Sequence, residues 1–341
     1  MGGYAGVSNW WLNVWTTFDS VYLLEIARDG YRPLTAAFFP LMPVLLRPFG
    51  ANENIAALTA ISMSNVSFLV SLWIFHRLSA ESFGEGVARS SVAVLAFFPT
   101  SVFAMAAYTD ALFLMLVLVS FREARAERWW VASAAGFLAG LTRTTGPVLA
   151  VALLCDAVLR STRMPKPVRL SVAALACAAA PLVAFLGVQL YFHQRFGAVT
   201  LLAAQADFGR AASFPWIPIW RDLSDLGDGI RHGMFYFVTF MNVLASLLVF
   251  VFAWRYRTRV PAAELLLMCG VMLMQLTYAR TFPPYTISSL RYVFSTPAFA
   301  SCLALALQSR SSDIVRHGMI VVGLLVSGGV AFLFGAKEFV S

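Results

Sequence analysis

Two aspartates and two arginines stand beside long apolar runs instead of in polar loops. Asp19 lies between Phe18 and Ser20 in an aromatic-rich stretch, and Asp110 follows Tyr108-Thr109. Arg143 separates two short apolar segments, and Arg291 precedes Tyr292 at the start of another. An ionisable side chain at membrane depth costs about 2.5–3.5 kcal/mol on insertion scales, so each implies pairing or function. A structural ion pair such as Asp110 with Arg143, or a snorkelling arginine, explains any one of them, but explains four on one face less well. The same residue types suit group transfer from a lipid-linked phosphate donor. A carboxylate takes the proton of an acceptor hydroxyl, and guanidinium groups stabilise a phosphate leaving group by charge-assisted, bidentate bonds. A transporter could use the same set.

Other chemistries leave little trace. The chain holds no phosphate-binding GxxxxGK[ST] loop, no HExxH and no GxSxG. His76, His193, His232 and His317 are scattered without metal-ligand spacing. No Asp-x-Asp pair occurs. Asp222, Asp225 and Asp228 recur every third residue, which suits a solvated face better than a divalent-cation site. The expectation is therefore no cofactor, with a divalent cation at these aspartates as the lesser alternative. Cys155, Cys177, Cys269 and Cys302 fall in or beside apolar runs and read as small buried side chains.

The elements that must position these residues are membrane helices. Of 341 residues, 60% are hydrophobic and 12% charged, and mean hydropathy is +0.75. Soluble domains carry about 25% charged residues. The net charge of +8 sits in short connectors, which points to membrane orientation and anionic lipid and away from nucleic acid. Ten apolar runs can be read, at 55–76, 90–107, 109–121, 130–142, 145–159, 169–192, 234–253, 262–279, 290–308 and 314–335. Runs 130–142 and 145–159 are short, and could be two tilted helices around Arg143 or one kinked helix. Charge favours two. With residues 1–54 outside, the inner connectors hold 14 of the 25 basic residues and 7 of the 17 acidic ones, a positive-inside pattern. Residues 1–54 and 193–233 then form long extracytoplasmic segments. Residues 10–31 carry Trp11, Trp15, Phe18, Tyr22 and Ile26 on helical spacing and predict one amphipathic interfacial helix. Residues 214–222 predict a second interfacial segment. No signal peptide is visible, and no repeat or linker divides the chain. The expected architecture is a single all-α domain over 1–341, a polytopic bundle of about ten spans, with helical sets at 55–192 and 234–336.

The order of several short motifs resembles the PIG-V-type mannosyltransferase family, which includes GPI mannosyltransferase II and bacterial relatives. Phe18-Asp19-Ser20, Tyr22 and Ile26-Ala27-Arg28-Asp29-Gly30-Tyr31 match the family's opening Trp-Asp-Ser-like motif and its Ile-Ala-x-x-Gly-Tyr. Ala37-Phe38-Phe39-Pro40-Leu41-Met42-Pro43 matches the next element. Phe98-Pro99-Thr100-Ser101 with Tyr108-Thr109-Asp110-Ala111-Leu112-Phe113 follows. Leu141 to Gly146 around Arg143 resembles the Arg-x-x-Gly turn, Tyr191 to Gly197 with Ala204-Gln205 the large outer loop, and Arg291-Tyr292 with Pro297 a late Arg-Tyr…Pro element. The match spans roughly residues 10–300.

The resemblance implies a GT-C-type, inverting membrane glycosyltransferase that takes a hexose, typically mannose, from a polyprenyl-phosphate donor to a lipid or glycan acceptor. The active site would face the extracytoplasmic side of a membrane, in a bacterium the inner membrane. By analogy Asp19 is the general base. Ser20, Tyr22, Phe38, Phe39, Pro40, Tyr108, Asp110, Gln205 and Tyr292 shape the pocket, and Arg143 and Arg291 are the expected phosphate contacts. No metal is implied. Three departures stand out: Phe18 replaces the family's Trp, Asp110 replaces its Glu, and the hydrophobic span that relatives carry before the Asp motif is missing from these first 18 residues. The last departure raises the alternative of a non-catalytic, degenerate relative. A transporter or flippase is the other.

Overall fold

The computed structural model describes residues 7–163, 171–197, 201–227 and 234–310, together with Gly318 and a few positions from 323 to 330. Two short helices come first, α1 (Trp10–Val14) and α2 (Asp19–Asp29), where the spacing predicted one. The break falls at Trp15–Phe18. Phe18 adopts φ +53° and ψ −116°, a conformation that L side chains rarely take, and it ends the helical run. After two 3₁₀ turns and α3 (Leu41–Leu46), the chain enters the first long helix, α4 (Glu53–Phe83). The Asn52 side chain caps it by accepting from the Ile55 N–H at 3.2 Å. Gly84, at φ +83°, ends it and turns the chain into α5 (Glu85–Ala96).

The apolar run 90–107 does not form one span. Pro99 cannot continue a helix and constrains Phe98 before it, so α5 stops at Ala96. One turn, α6 (Val102–Met105), and an irregular segment through Tyr108 follow. Next come α7 (Asp110–Arg125), α8 (Trp129–Gly140) and α9 (Gly146–Arg163); Arg143 lies in the turn between two separate helices. Then come α10 (Val172–Phe196), α11 (Leu201–Ala206), α12 (Trp216–Gly227), α13 (Met234–Arg255), α14 (Ala262–Thr277), α15 (Ser289–Phe294) and α16 (Pro297–Arg310).

Helix α10 packs on α8 and α9, α7 on α4 and α8, α14 on α9, and α16 on α5. Small residues permit the tightest of these approaches. A Cβ at Gly140 would lie 2.4 Å from the Pro181 carbonyl oxygen, and one at Gly146 would lie 3.0 Å from Gly140 Cα. Three described helices are long and apolar enough to cross a membrane: α4, α10 and residues 236–255 of α13. α8, α14 and α16 are apolar but shorter. Length and composition therefore support an integral membrane bundle but do not reach the expected ten spans. The run 314–335 lies largely outside the described residues.

One departure from an all-α fold bears on function. Strand β1 (Arg210–Ala212) pairs antiparallel with β2 (Tyr278–Arg280), in the register Arg210↔Arg280, Ala211↔Ala279 and Ala212↔Tyr278. A three-residue ladder between segments this far apart in the chain gives no periodicity to read. It ties the loop after α11 to the end of α14.

Candidate active site

Asp19 is the first residue of α2 and Asp110 the first of α7. Each carboxylate thus sits at a helix N-terminus, where backbone N–H groups and the dipole favour an anion. The segment following the Pro99 break holds the turn ahead of Asp19. Ala107 N–H donates to the Trp15 carbonyl at 3.1 Å, and Tyr108 Oη donates to the Thr17 carbonyl at 3.1 Å. Tyr108 is itself fixed, because Ser64 Oγ donates to its carbonyl at 3.0 Å.

The two arginines converge on these carboxylates. Arg291, on α15, donates through Nε and Nη2 to Asp110 and through Nη1 to Asp19 Oδ2 at 2.7 Å. Arg143 Nη1 donates to Asp110 Oδ1. Asp110 is fully buried. A lone charge there would cost several kcal/mol, and two guanidinium partners offset that cost. The guanidinium groups also lie over aromatic rings: Arg291 is 4.6 Å from the Tyr108 centroid, and Arg143 is 5.0 Å from that of Tyr292. Two acids and two bases make a group of zero net charge.

Asp19 differs from Asp110 in exposure. Its side chain is 38% exposed, and among the described residues only Oδ2 is hydrogen-bonded. It opens on a cavity of about 810 Å³ that Arg143, Arg291 and Tyr292 also line. Tyr22 and Phe38 stack at 4.8 Å on the wall, with Phe208 edge-on to both at 5.4 and 5.7 Å. Phe39, Tyr108 and Gln205 complete the set of expected residues at this cavity.

Three expected pocket residues do not line it: Asp110 is sealed beneath it by the two arginines, and Ser20 and Pro40 lie elsewhere. Ser20 is fully buried and does not line the cavity, because it points back into the bundle one residue along α2. Pro40 lines a neighbouring cavity of about 760 Å³ with Tyr31, Arg47 and Arg195. The expected phosphate contacts, Arg143 and Arg291, have their charge answered by Asp110 and Asp19. Asp222, read as one point of an acidic face, is buried. Its Oδ1 accepts from Tyr285 N–H at 3.0 Å, and its Oδ2 accepts from Thr286 N–H and Oγ1 at 2.7 and 2.6 Å. It fastens the loop before α15, and no cluster of metal-ligating side chains occurs among the described residues.

The lining residues that went unread in the sequence include Phe208, Arg210, Arg280 and Phe282. The β1–β2 ladder brings the two arginines together. Gly209, at φ +70°, makes the turn into it, and its carbonyl accepts from Thr281 N–H at 2.9 Å.

No known protein-family model matches the chain, and no curated protein sequence matches it. Its fold is similar to that of ArnT from Cupriavidus metallidurans in a crystal structure bound to undecaprenyl phosphate, with TM-score 0.53 and 14% identity over 90% of this chain. The chain spans 57% of the ArnT chain. Looser matches are the Archaeoglobus fulgidus oligosaccharyltransferase in complex with zinc and sulfate (TM-score 0.41, 14% identity, 99% of this chain and 49% of that one) and the same organism's AglB with an inhibitory peptide and a dolichol-phosphate (0.43, 12%, 98% and 52%). The likeness to ArnT supports the expected GT-C-type architecture.

Proposed function

We propose that the chain is a membrane glycosyltransferase that moves a hexose from a polyprenyl-phosphate donor to a hydroxyl of a lipid or glycan acceptor. The observation that carries this reading is the unequal treatment of two carboxylates. Asp110 is buried and saturated by two arginines, whereas Asp19, pinned through one oxygen, presents the other to a large cavity with aromatic walls. Paired acids with divergent environments have separable roles. Asp110 anchors the arginines, and Asp19 is the base.

In the reaction so assigned, Asp19 takes the acceptor hydroxyl proton as that oxygen attacks the anomeric carbon. The bond from that carbon to the phosphate oxygen breaks, its electron pair stays on the phosphate, and configuration inverts. Tyr22, Phe38 and Phe208 offer ring faces to the sugar or to the first isoprene units. ArnT binds undecaprenyl phosphate, which agrees with a lipid-phosphate donor here. Mannose is the sugar favoured by the motif resemblance, and the extracytoplasmic side by the charge of the connectors. The test is Asp19→Asn with labelled polyprenyl-phosphate-mannose and a cell lipid extract. Transfer should fall about 10²–10⁴-fold while the protein still purifies as a folded species. Undiminished transfer by the variant rejects the assignment.

A further inference from the structure

Once Asp19, Asp110, Arg143 and Arg291 have neutralised one another, the phosphate of a lipid-linked donor has no cation left within that group. The cavity has others. Arg210 and Arg280 face each other across the β1–β2 ladder and both line it. Residues directly opposite on antiparallel strands have Cβ atoms about 4.5–5.5 Å apart, and like charges there repel. Neither arginine forms an ion pair among the described residues. Asp207, the remaining acidic lining residue, is exposed and is not salt-bridged to either.

Their donors are only partly used. Arg210 Nη1 donates to Gln275 Oε1 at 3.0 Å and to the Tyr278 carbonyl at 3.2 Å. Gln275 is in turn fixed, its Nε2 donating to the Ile287 carbonyl at 2.7 Å. Arg280 lies 3.8 Å over the Phe282 ring, and none of its N–H groups has an acceptor among the described residues. Burial, and then the charge of Arg210, push the Arg280 guanidinium below its ordinary value. Two partly desolvated cations side by side, with open N–H groups turned to a cavity, are complementary to one bridging oxyanion.

We infer that Arg210 and Arg280 form a phosphate-binding subsite that receives the phosphate of the polyprenyl carrier. This rests on the transferase reading for its donor. It adds a reason for two arginines: the donor is a phosphodiester with one charge, and the released polyprenyl phosphate, a monoester, carries nearly two. Charge develops at the leaving group in the transition state, where fixed cations act most strongly.

The experiment is equilibrium binding to the full-length protein in detergent, with no transfer step. Undecaprenyl phosphate, uncharged undecaprenol and inorganic phosphate serve as separate probes. Arg210→Gln and Arg280→Gln should each weaken undecaprenyl phosphate binding about tenfold or more, as loss of a charge-assisted bond requires, and leave undecaprenol binding unchanged. The lysine variants should recover part of the loss. Because Arg280→Gln relieves a like-charge contact and breaks no side-chain hydrogen bond among the described residues, its melting temperature without ligand should equal or exceed that of the wild type; an arginine with a merely structural role predicts a drop. Inorganic phosphate that competes with the lipid locates recognition in the headgroup, and lack of competition at any concentration rejects the subsite. Undiminished lipid-phosphate binding by both glutamine variants also rejects it. The two claims separate cleanly. Loss of binding in these variants, with no transfer by the wild type, keeps the subsite and removes the transferase. Normal binding, with transfer abolished by Asp19→Asn, does the reverse.

Discussion

Arg291 meets Asp110 side-on: Nε lies 3.2 and 3.1 Å from the two carboxylate oxygens and Nη2 lies 2.7 Å from Oδ2, which leaves Nη1 to reach Asp19 at 2.7 Å. One planar guanidinium therefore sets the orientation of a buried acid and of an accessible one together. A lysine, with a single charged nitrogen, has no equivalent of this fork.

Asp110→Asn leaves Arg143 buried without its counter-charge and Arg291 with Asp19 alone. Removing one partner of a buried ionic group costs about 3–5 kcal/mol, so the variant should melt well below wild type in detergent. Asp110→Glu keeps the charge and should recover most of the loss. Wild-type melting of the asparagine variant would falsify the anchoring role.

Tyr108→Phe keeps the ring beneath Arg291 and removes the hydroxyl that holds the Thr17 carbonyl at 3.1 Å. The stability loss should be about 0.5–1.5 kcal/mol. If the transferase reading is right, kcat should fall while KM for the donor changes little, because the turn aiming Asp19 is loosened and the Arg210 and Arg280 side is untouched. A change in KM alone would place Tyr108 in binding.

Asp222 predicts a pH effect. Burial pushes its carboxyl above the ordinary value, against hydrogen bonds from the Thr286 side chain, the Thr286 N–H and the Tyr285 N–H. A carboxyl with a raised folded-state pKa binds its proton more readily folded than unfolded. Its contribution is thus full below the unfolded value, about 3.9, and is lost as pH rises through the folded one. Melting temperatures measured upward from pH 4 should show this declining component in the wild type. Asp222→Asn should lack it and be less stable throughout, since an amide nitrogen would face a backbone N–H.

Gly140→Ala should destabilise by about 1–3 kcal/mol through overpacking, because its Cβ would meet the Pro181 carbonyl oxygen at 2.4 Å and Ala184 Cβ at 2.9 Å. Gly187→Ala, on α10 with nothing within 4 Å of the new Cβ, is the control and should be neutral or stabilising. Equal melting of the two variants would show that α8 and α10 can separate at no cost.

The carboxylates and the first two arginines were legible because polar residues stand out against apolar runs. Asp19, Asp110, Arg143 and Arg291 do meet. Their pairing was less legible: Arg143 and Arg291 read as phosphate ligands because a sequence does not show that Asp110 lies between them. The helix break at Phe18 was missed because its aromatic spacing continues the period of α2, and the break at Phe97–Ser101 was missed although Pro99 signals it. Arg210 and Arg280 carried no local signal at all, since their partnership depends on a ladder between segments 68 residues apart.

The same distances along the chain set an order of events during synthesis. Asp110 and Arg143 are separated by 33 residues, one helical hairpin of α7 and α8, so the buried acid can acquire a counter-charge as soon as that hairpin has formed. Arg291 arrives 181 residues after Asp110 and 272 after Asp19. A ribosome that stalls before α15 therefore leaves a nascent chain that has already solved its electrostatic problem at Asp110 yet has not secured Asp19. Asp19 gains its partner only once α15 has been made.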